Sequence, residues 1–255
     1  MGAILAVRGL RKEFGGLVAV NDVDMEVETG RLTAIIGPNG AGKTTLFNLI
    51  DGTLRPTRGE VFLNGVPLNG LPPHGRAAAG LARTHQSALL FHNMSVLENV
   101  MVGRHTRSRT GFLAAAIRTP GARREEEEIR HKAAVYLNLV GLGRKAGDGA
   151  AALPFGQQRL VAIARALATE PRLLMLDEPG AGLNTMEKKD LGELLVRIRE
   201  MGVTVLLVEH DMDLVMRVAE RVVVLDYGVK IAEGTAAEVQ RDKKVIAAYL
   251  GEEEE

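Results

Sequence analysis

The chain predicts an α/β fold with a largely parallel sheet, and three observations predict it. Leu32 to Ile36 is a short apolar run that enters a glycine-rich loop, Gly37 to Thr44. Helical spacing at Leu46, Leu49 and Ile50 follows, so strand, loop and helix succeed one another. Leu173 to Leu176, Val203 to Val208 and Val222 to Leu225 are further apolar runs of strand length, the first two followed by helical stripes or polar turns. Uninterrupted apolar runs suit strands buried on both faces, as in parallel sheets covered by helices. Two of these runs stop at residues able to do chemistry, Asp177-Glu178 and Glu209-His210-Asp211. Carboxyl ends of parallel strands are where such folds place their sites.

Composition narrows the classes. The 255 residues hold 32 Lys+Arg and 32 Asp+Glu, so the net charge is zero. That balance excludes a globally basic nucleic-acid coat and an acidic solvating protein. There is no cysteine, hence no disulfide frame, thiolate metal site or cysteine nucleophile. With no tryptophan and 4% aromatics, a base-stacking platform is not expected. Apolar runs such as Phe112 to Ile117 are far short of the roughly 18 residues a membrane-spanning helix needs. The first residues lack a basic segment and a long apolar core, so no secretory signal is expected. Ala6 breaks the myristoylation pattern.

Each element has its own signal. The first thirty residues read as strands, with Val23, Met25 and Val27 alternating with Asp24, Glu26 and Glu28. Leu81 to His85 reads as a strand followed by Gln86. Leu97, Val100 and Met101 suit a short helix. From Asn99 to Arg124 no acid occurs, but Arg104, Arg107, Arg109, Arg118, Arg123 and Arg124 do. Glu125 to Glu128 then open a helix running to about Leu139, where acids at the first turn suit the helix dipole. Leu160, Ile163, Ala164 and Leu167 form a helical stripe, and Leu191 to Met201 a helix stopped by Gly202. Glu252 to Glu255 is a solvated end.

The strongest motif is Gly37-Pro38-Asn39-Gly40-Ala41-Gly42-Lys43-Thr44-Thr45, which matches G-x-x-x-x-G-K-[ST]. Phosphate oxygens are best met by several backbone N–H groups at once. Glycines let the chain curl around them, and the next helix adds free N–H groups and a positive dipole end. Lys43 supplies a charge to the outer phosphates, and the Thr44 hydroxyl a ligand for Mg²⁺. Asp177 at a strand end can hold Mg²⁺ through water, and Glu178 can polarise an attacking water. His210 ends the neighbouring strand.

Taken together, these residues resemble the ATP-binding subunit of ABC transporters. In order the chain carries GPNGAGKTT, Gln86, LPFGQQR at 153–159, LLMLDEP at 173–179, GAGLN at 180–184 and EHD at 209–211. FGGLVAV at 14–20, RTGFLAAAIRTP, EHDMDLVM at 209–216 and AAYLG at 247–251 look like the subgroup serving branched-chain amino acid importers. The resemblance implies a P-loop NTPase (RecA-like) core at 1–86 and 157–255. It also implies an N-terminal antiparallel β subdomain in 1–30 and 60–70, and an inserted helical subdomain at 87–156. It implies that Phe14 stacks on adenine, that Gln86 contacts Mg²⁺ and senses the γ-phosphate, and that Asp177 holds Mg²⁺. Glu178 would be the catalytic base and His210 a γ-phosphate contact. Pro154, Phe155, Gly156 and Gln157 would close over ATP held by a second cassette, with Asn184 in the loop joining the two sites. Two positions depart from the common pattern. Pro154 and Phe155 replace the Ser and first Gly of LSGGQ, and Asn184 replaces Asp.

The implied partners are a second ATP-binding subunit, identical or homologous, integral membrane permease subunits and, indirectly, a substrate-binding protein, with no nucleic acid. The implied place is the cytoplasmic face of the inner membrane, held peripherally, and the cofactors are ATP and Mg²⁺. The arginines of 104–124 suit contact with anionic lipid headgroups or the membrane subunit. Alternatives are a urea or amide importer, a lipopolysaccharide exporter, a soluble ABC ATPase uncoupled from transport, and a P-loop small-molecule kinase. Tandem cassettes or a coiled coil would mark the soluble ATPase, and neither is present in these residues.

Overall fold

The computed structural model describes residues 2–85, 89–105 and 119–250. They fall into two compact units, 1–83 with 172–255, and 84–171.

The first unit contains two sheets. β1 (Ala3–Phe14), β2 (Leu17–Glu28), β4 (Arg58–Leu63) and β5 (Val66–Pro67) form an antiparallel sheet in the order β2-β1-β4-β5. Phe14 pairs with Leu17, so Gly15-Gly16 makes a two-residue hairpin turn, and Gly15 takes the positive φ (+58°) that such turns require. Val23, Met25 and Val27 are buried and Asp24 and Glu26 exposed, as their alternation predicts.

The second sheet has the order β10-β9-β3-β8-β7-β6. Its strands are β3 (Leu32–Ile36), β6 (Leu81–Thr84), β7 (Leu173–Asp177), β8 (Thr204–Val208), β9 (Arg221–Asp226) and β10 (Val229–Gly234). β3 pairs parallel with β8 and β9, β7 parallel with β8, and β10 antiparallel with β9. Every residue of β3, β7 and β8 is buried, because both faces are covered. Ile35, Met175, Leu206 and Val223 share a core with Leu46, Phe47, Leu49 and Ile50 of α1 (Lys43–Asp51) and with Leu5, Val7 and Val61 of the antiparallel sheet. Each such side chain contributes about 1.5–3 kcal/mol on burial. Ala34, Ile36, Val222 and Val224 pack on the other face against α7 (Met212–Val218), α8 (Ala236–Arg241) and α9 (Lys243–Leu250). The unit also holds α2 (Pro73–Ala78) and α6 (Thr185–Glu200).

The second unit is helical: α3 (Val96–Arg104), α4 (Pro120–Leu139) and α5 (Phe155–Leu167). α3 packs against both α4 and α5, which is why the unit runs to 171 rather than ending at the predicted 156. α4 begins at Pro120, not Glu125. Thr119 caps it by accepting from the Ala122 amide (3.2 Å), and Pro120 needs no hydrogen bond at the first helical position. The four glutamates therefore lie beyond the first turn. Arg104 is not a surface residue. It is 7% exposed, donates to the Ala168 carbonyl (3.2 Å) and pairs with Glu170 (3.0 Å). Arg123 and Arg124 are exposed, while Arg107, Arg109 and Arg118 lie outside the described residues. Asn99, fully buried, bonds both the N–H and the carbonyl of Phe91 (2.8 and 3.1 Å) and so pins the loop before α3.

α3 and α5 touch through backbone at Gly103, where a Cβ would lie 2.1 Å from the Arg165 carbonyl oxygen. Gly103→Ala is expected to destabilise the fold by about 1–3 kcal/mol through overpacking, read as a lowered midpoint in urea.

Candidate active site

β3 ends in the loop Gly37 to Gly42, and α1 starts at Lys43. A Cβ on Gly37 would lie 2.1 Å from the Leu225 carbonyl oxygen, and one on Gly42 2.4 Å from that of Ala19. Gly42 also has φ +94°, so both positions demand glycine. As the N-cap of α1, Gly42 supplies no side-chain acceptor, which leaves first-turn N–H groups open to an anion. Lys43 is 7% exposed, and its Nζ donates to the carbonyls of Gly37 (2.7 Å) and Pro38 (2.8 Å). Burial pushes its pKa below the usual lysine value, opposed by the nearby charges of Glu178 and Asp177. A cavity of about 340 Å³ opens here, lined by Leu17, Val18, Ala19, Asn39 to Thr45, Glu178 and Tyr227.

The acidic side of the site comes from the ends of β7 and β8. Ile35 and Asp177 both pair with Val208, so the three strands end within one residue of each other. Asp177 is buried at the last position of β7. Glu178 leaves the strand at φ +45°, a costly backbone state for a side-chain-bearing residue, and its N–H donates to the Val208 carbonyl (2.9 Å). The His210 Nδ1 lies 3.8 Å from Glu178 Oε2 and 3.9 Å from Glu209 Oε2.

Glu209 is fully buried, and that burial pushes its pKa up, against the pull of the amides it accepts from. Its Oε1 accepts from the Gly180 N–H (2.6 Å) and its Oε2 from the His210 N–H (3.1 Å). A Cβ on Gly180 would come within 2.8 Å of that carboxylate. One side chain thus ties the turn after Glu178 to the start of the His210 loop.

The structure therefore brings together Gly37, Pro38, Asn39, Gly40, Ala41, Gly42, Lys43, Thr44, Thr45, Asp177, Glu178 and His210. Phe14 sits at the end of β1, half-exposed, with the Lys12 Nζ 4.9 Å from its ring centroid, and is not among the cavity's lining residues. Gln86 lies outside the described residues. In the helical unit Pro154 is the N-cap of α5, with Phe155 exposed and Gly156 and Gln157 in the first turn. Gln157 Oε1 accepts from Lys145 Nζ (2.8 Å). Asn184 caps α6, accepting from the Glu187 amide (3.0 Å).

Two residues, Tyr227 and Arg83, went unnoticed in the sequence, and a third, Glu209, stood out only as part of a strand-end run. Tyr227, 87% exposed, lines the cavity from the β9–β10 turn. Glu209 hides within the EHD motif. Arg83 is the one charged residue of the short strand β6 (Leu-Ala-Arg-Thr), and a charge there is itself a signal. Its guanidinium donates to Asn48 (2.7 Å), Asp51 (2.5 Å) and Asp177 Oδ2 (2.7 Å). Among the described residues, no three His, Cys, Asp or Glu side chains gather as a metal site.

A family model described as "ABC transporter" matches residues 20–181, and one described as "Branched-chain amino acid ATP-binding cassette transporter" matches 229–255. The chain is similar to the high-affinity branched-chain amino acid transport ATP-binding protein BraF of Pseudomonas aeruginosa, with 47% identity over 98% of each chain. It is also similar to the ADP conformation of MJ1267, an ATP-binding cassette of an ABC transporter, with TM-score 0.85, 32% identity and coverage of 99% of this chain and 100% of that one. The dimeric structure of MJ0796, a bacterial ABC transporter cassette, matches with TM-score 0.78, 27% identity and coverage of 91% and 98%. The chain belongs to the ABC transporter family and is one of its ATP-hydrolysing, ATP-binding cassettes.

Proposed function

We propose that this cassette powers an importer of branched-chain amino acids by closing on a second cassette around ATP and reopening after hydrolysis. The observation that carries the catalytic half of this reading is the cavity shared by the loop 39–45 and Glu178. Near-full-length similarity to BraF supports the substrate class.

Backbone N–H groups of the loop and of the first turn of α1 bind the β- and γ-phosphates, and the Lys43 ammonium adds a fixed charge beside them. Thr44 and Asp177 offer hard oxygen donors, and Asp177 Oδ1 accepts no hydrogen bond from a described residue. Mg²⁺ takes one or two carboxylates plus substrate phosphates, so this sparse set fits it, with Gln86 as the further ligand implied by resemblance. When bound, the ion neutralises phosphate charge and polarises the transferred group. Glu178 orients the attacking water and accepts its proton, and His210 contacts the γ-phosphate. Phe14 supplies a face for the base.

The other half of the site comes from the partner cassette. There the N-terminal end of α5, at Pro154 to Gln157, offers amides and about half a positive charge, and Asn184 joins the two sites. ATP bridges both halves and ADP does not, so the nucleotide shifts an open–closed equilibrium. The partners are permease subunits and, through them, a substrate-binding protein. The cassette docks peripherally on the cytoplasmic face of the inner membrane. None of the described helices is long and apolar enough to cross a membrane.

Glu178→Gln should keep ATP binding, lose at least about a hundredfold in phosphate release and accumulate as a dimer on size-exclusion chromatography. Turnover at the normal rate would contradict the assigned base. Lys43→Ala should instead weaken ATP binding by about tenfold or more, measured by calorimetry. Reconstituted with its permease and binding protein in vesicles, the cassette should hydrolyse ATP faster with leucine present and not with urea.

A further inference from the structure

We propose that Arg83 is a positioning residue for the metal ligand Asp177, fixing that carboxylate so that one oxygen stays turned to the Mg²⁺·ATP site. The proposal rests on reading Asp177 as that ligand.

Arg83 lies in β6, within a strand whose other side chains are apolar or small. Its side chain is 6% exposed and faces Asp51 and Asp177, themselves 8% and 7% exposed. The guanidinium sits 5.5 Å from the ring centroid of Phe47, on the helix that follows the phosphate loop. Its two terminal nitrogens divide their work. Nη1 bonds Asn48 Oδ1 and Asp51 Oδ2, and Nη2 bonds Asp177 Oδ2. The fork thus joins the last turn of α1 to the last residue of β7, the two elements that frame the phosphates. Its Nε has no hydrogen-bond partner among the described residues, a cost that a purely packing role would avoid.

Charge explains the choice of arginine. Two buried carboxylates flank one guanidinium, so Asp51 offsets Arg83 and Asp177 keeps its negative charge for the cation. The planar fork holds a single rotamer of Asp177 through Oδ2 and leaves Oδ1 open. A lysine would bring the same charge but could not span both acids with fixed geometry. Partners that orient a metal ligand typically change metal affinity by about 10–100-fold when removed.

The test measures metal binding rather than turnover. Mn²⁺ is titrated into the full chain with a non-hydrolysable ATP analogue, and free Mn²⁺ is read by electron paramagnetic resonance. Arg83→Met alone would strand two buried acids and endanger folding, so it is paired with Asp51→Asn. The double variant D51N/R83M is expected to fold, to bind the analogue normally in EDTA and to raise the Mn²⁺ midpoint about tenfold or more. Arg83→Lys, which keeps the charge without the fork, should raise the midpoint in the same direction. A wild-type midpoint in either folded variant overturns the proposal and leaves Arg83 as a counter-charge only. Asp177→Asn separates the two ideas. It should raise the midpoint more than either variant, and if it has no effect the metal reading of Asp177 itself fails.

Discussion

The molecule depends on one constraint: three buried parallel strands, β3, β7 and β8, end within one residue of each other. Everything chemical follows from what leaves those strand ends. β3 releases the phosphate loop, β7 releases Asp177 and Glu178, and β8 releases Glu209 and His210. Because both sheet faces are packed, a shift of any strand end would disturb close packing on two sides at once. The loop after β3 is then pressed against the carbonyls of Leu225 and Ala19, contacts so close that Gly37 and Gly42 admit no side chain. A rigid scaffold with an open row of N–H groups results. That preorganised arrangement is what phosphoryl transfer rewards.

Electrostatics sharpen the picture. The acids at the strand ends differ in surroundings. Asp177 shares Arg83 with Asp51, Glu178 faces the cavity, and Glu209 is fully buried with its oxygens engaged by amides. Of these acids, Glu178 alone lines the cavity beside the loop. Glu209 serves geometry, by joining two turns that must hold their spacing while nucleotide enters and leaves. The strained backbone at Glu178, with φ +45°, is maintained by its N–H bond to Val208 and by the neighbouring turn that Glu209 grips.

Much of this was legible in the residues. The buried strands announce themselves as apolar runs, and the loop by its glycine spacing. Helix starts were harder. α4 begins at Pro120, ahead of the acid run that suggested a start at Glu125, and α6 at Thr185, ahead of the apolar run that suggested a start at Leu191. The signals were present as Thr119-Pro120 and as the capping pair Asn184 and Glu187, and capping chemistry won over periodicity. The helical unit extends to 171 because α5 packs on α3, a tertiary contact that composition cannot reveal. Arg104 reads as part of a basic surface run, yet it folds inward to Glu170 and Ala168. Arg83 escapes a linear reading, and so does the bridging role of Glu209, because Asp177 and Gly180 lie far along the chain from them.

The central claim is that one cassette holds half an active site. The most direct measurement is ATPase rate against protein concentration for the isolated chain, with association followed in parallel by analytical ultracentrifugation. The account predicts that specific activity rises with dimer content and vanishes on dilution to monomer. Full specific activity in strictly monomeric protein would contradict it.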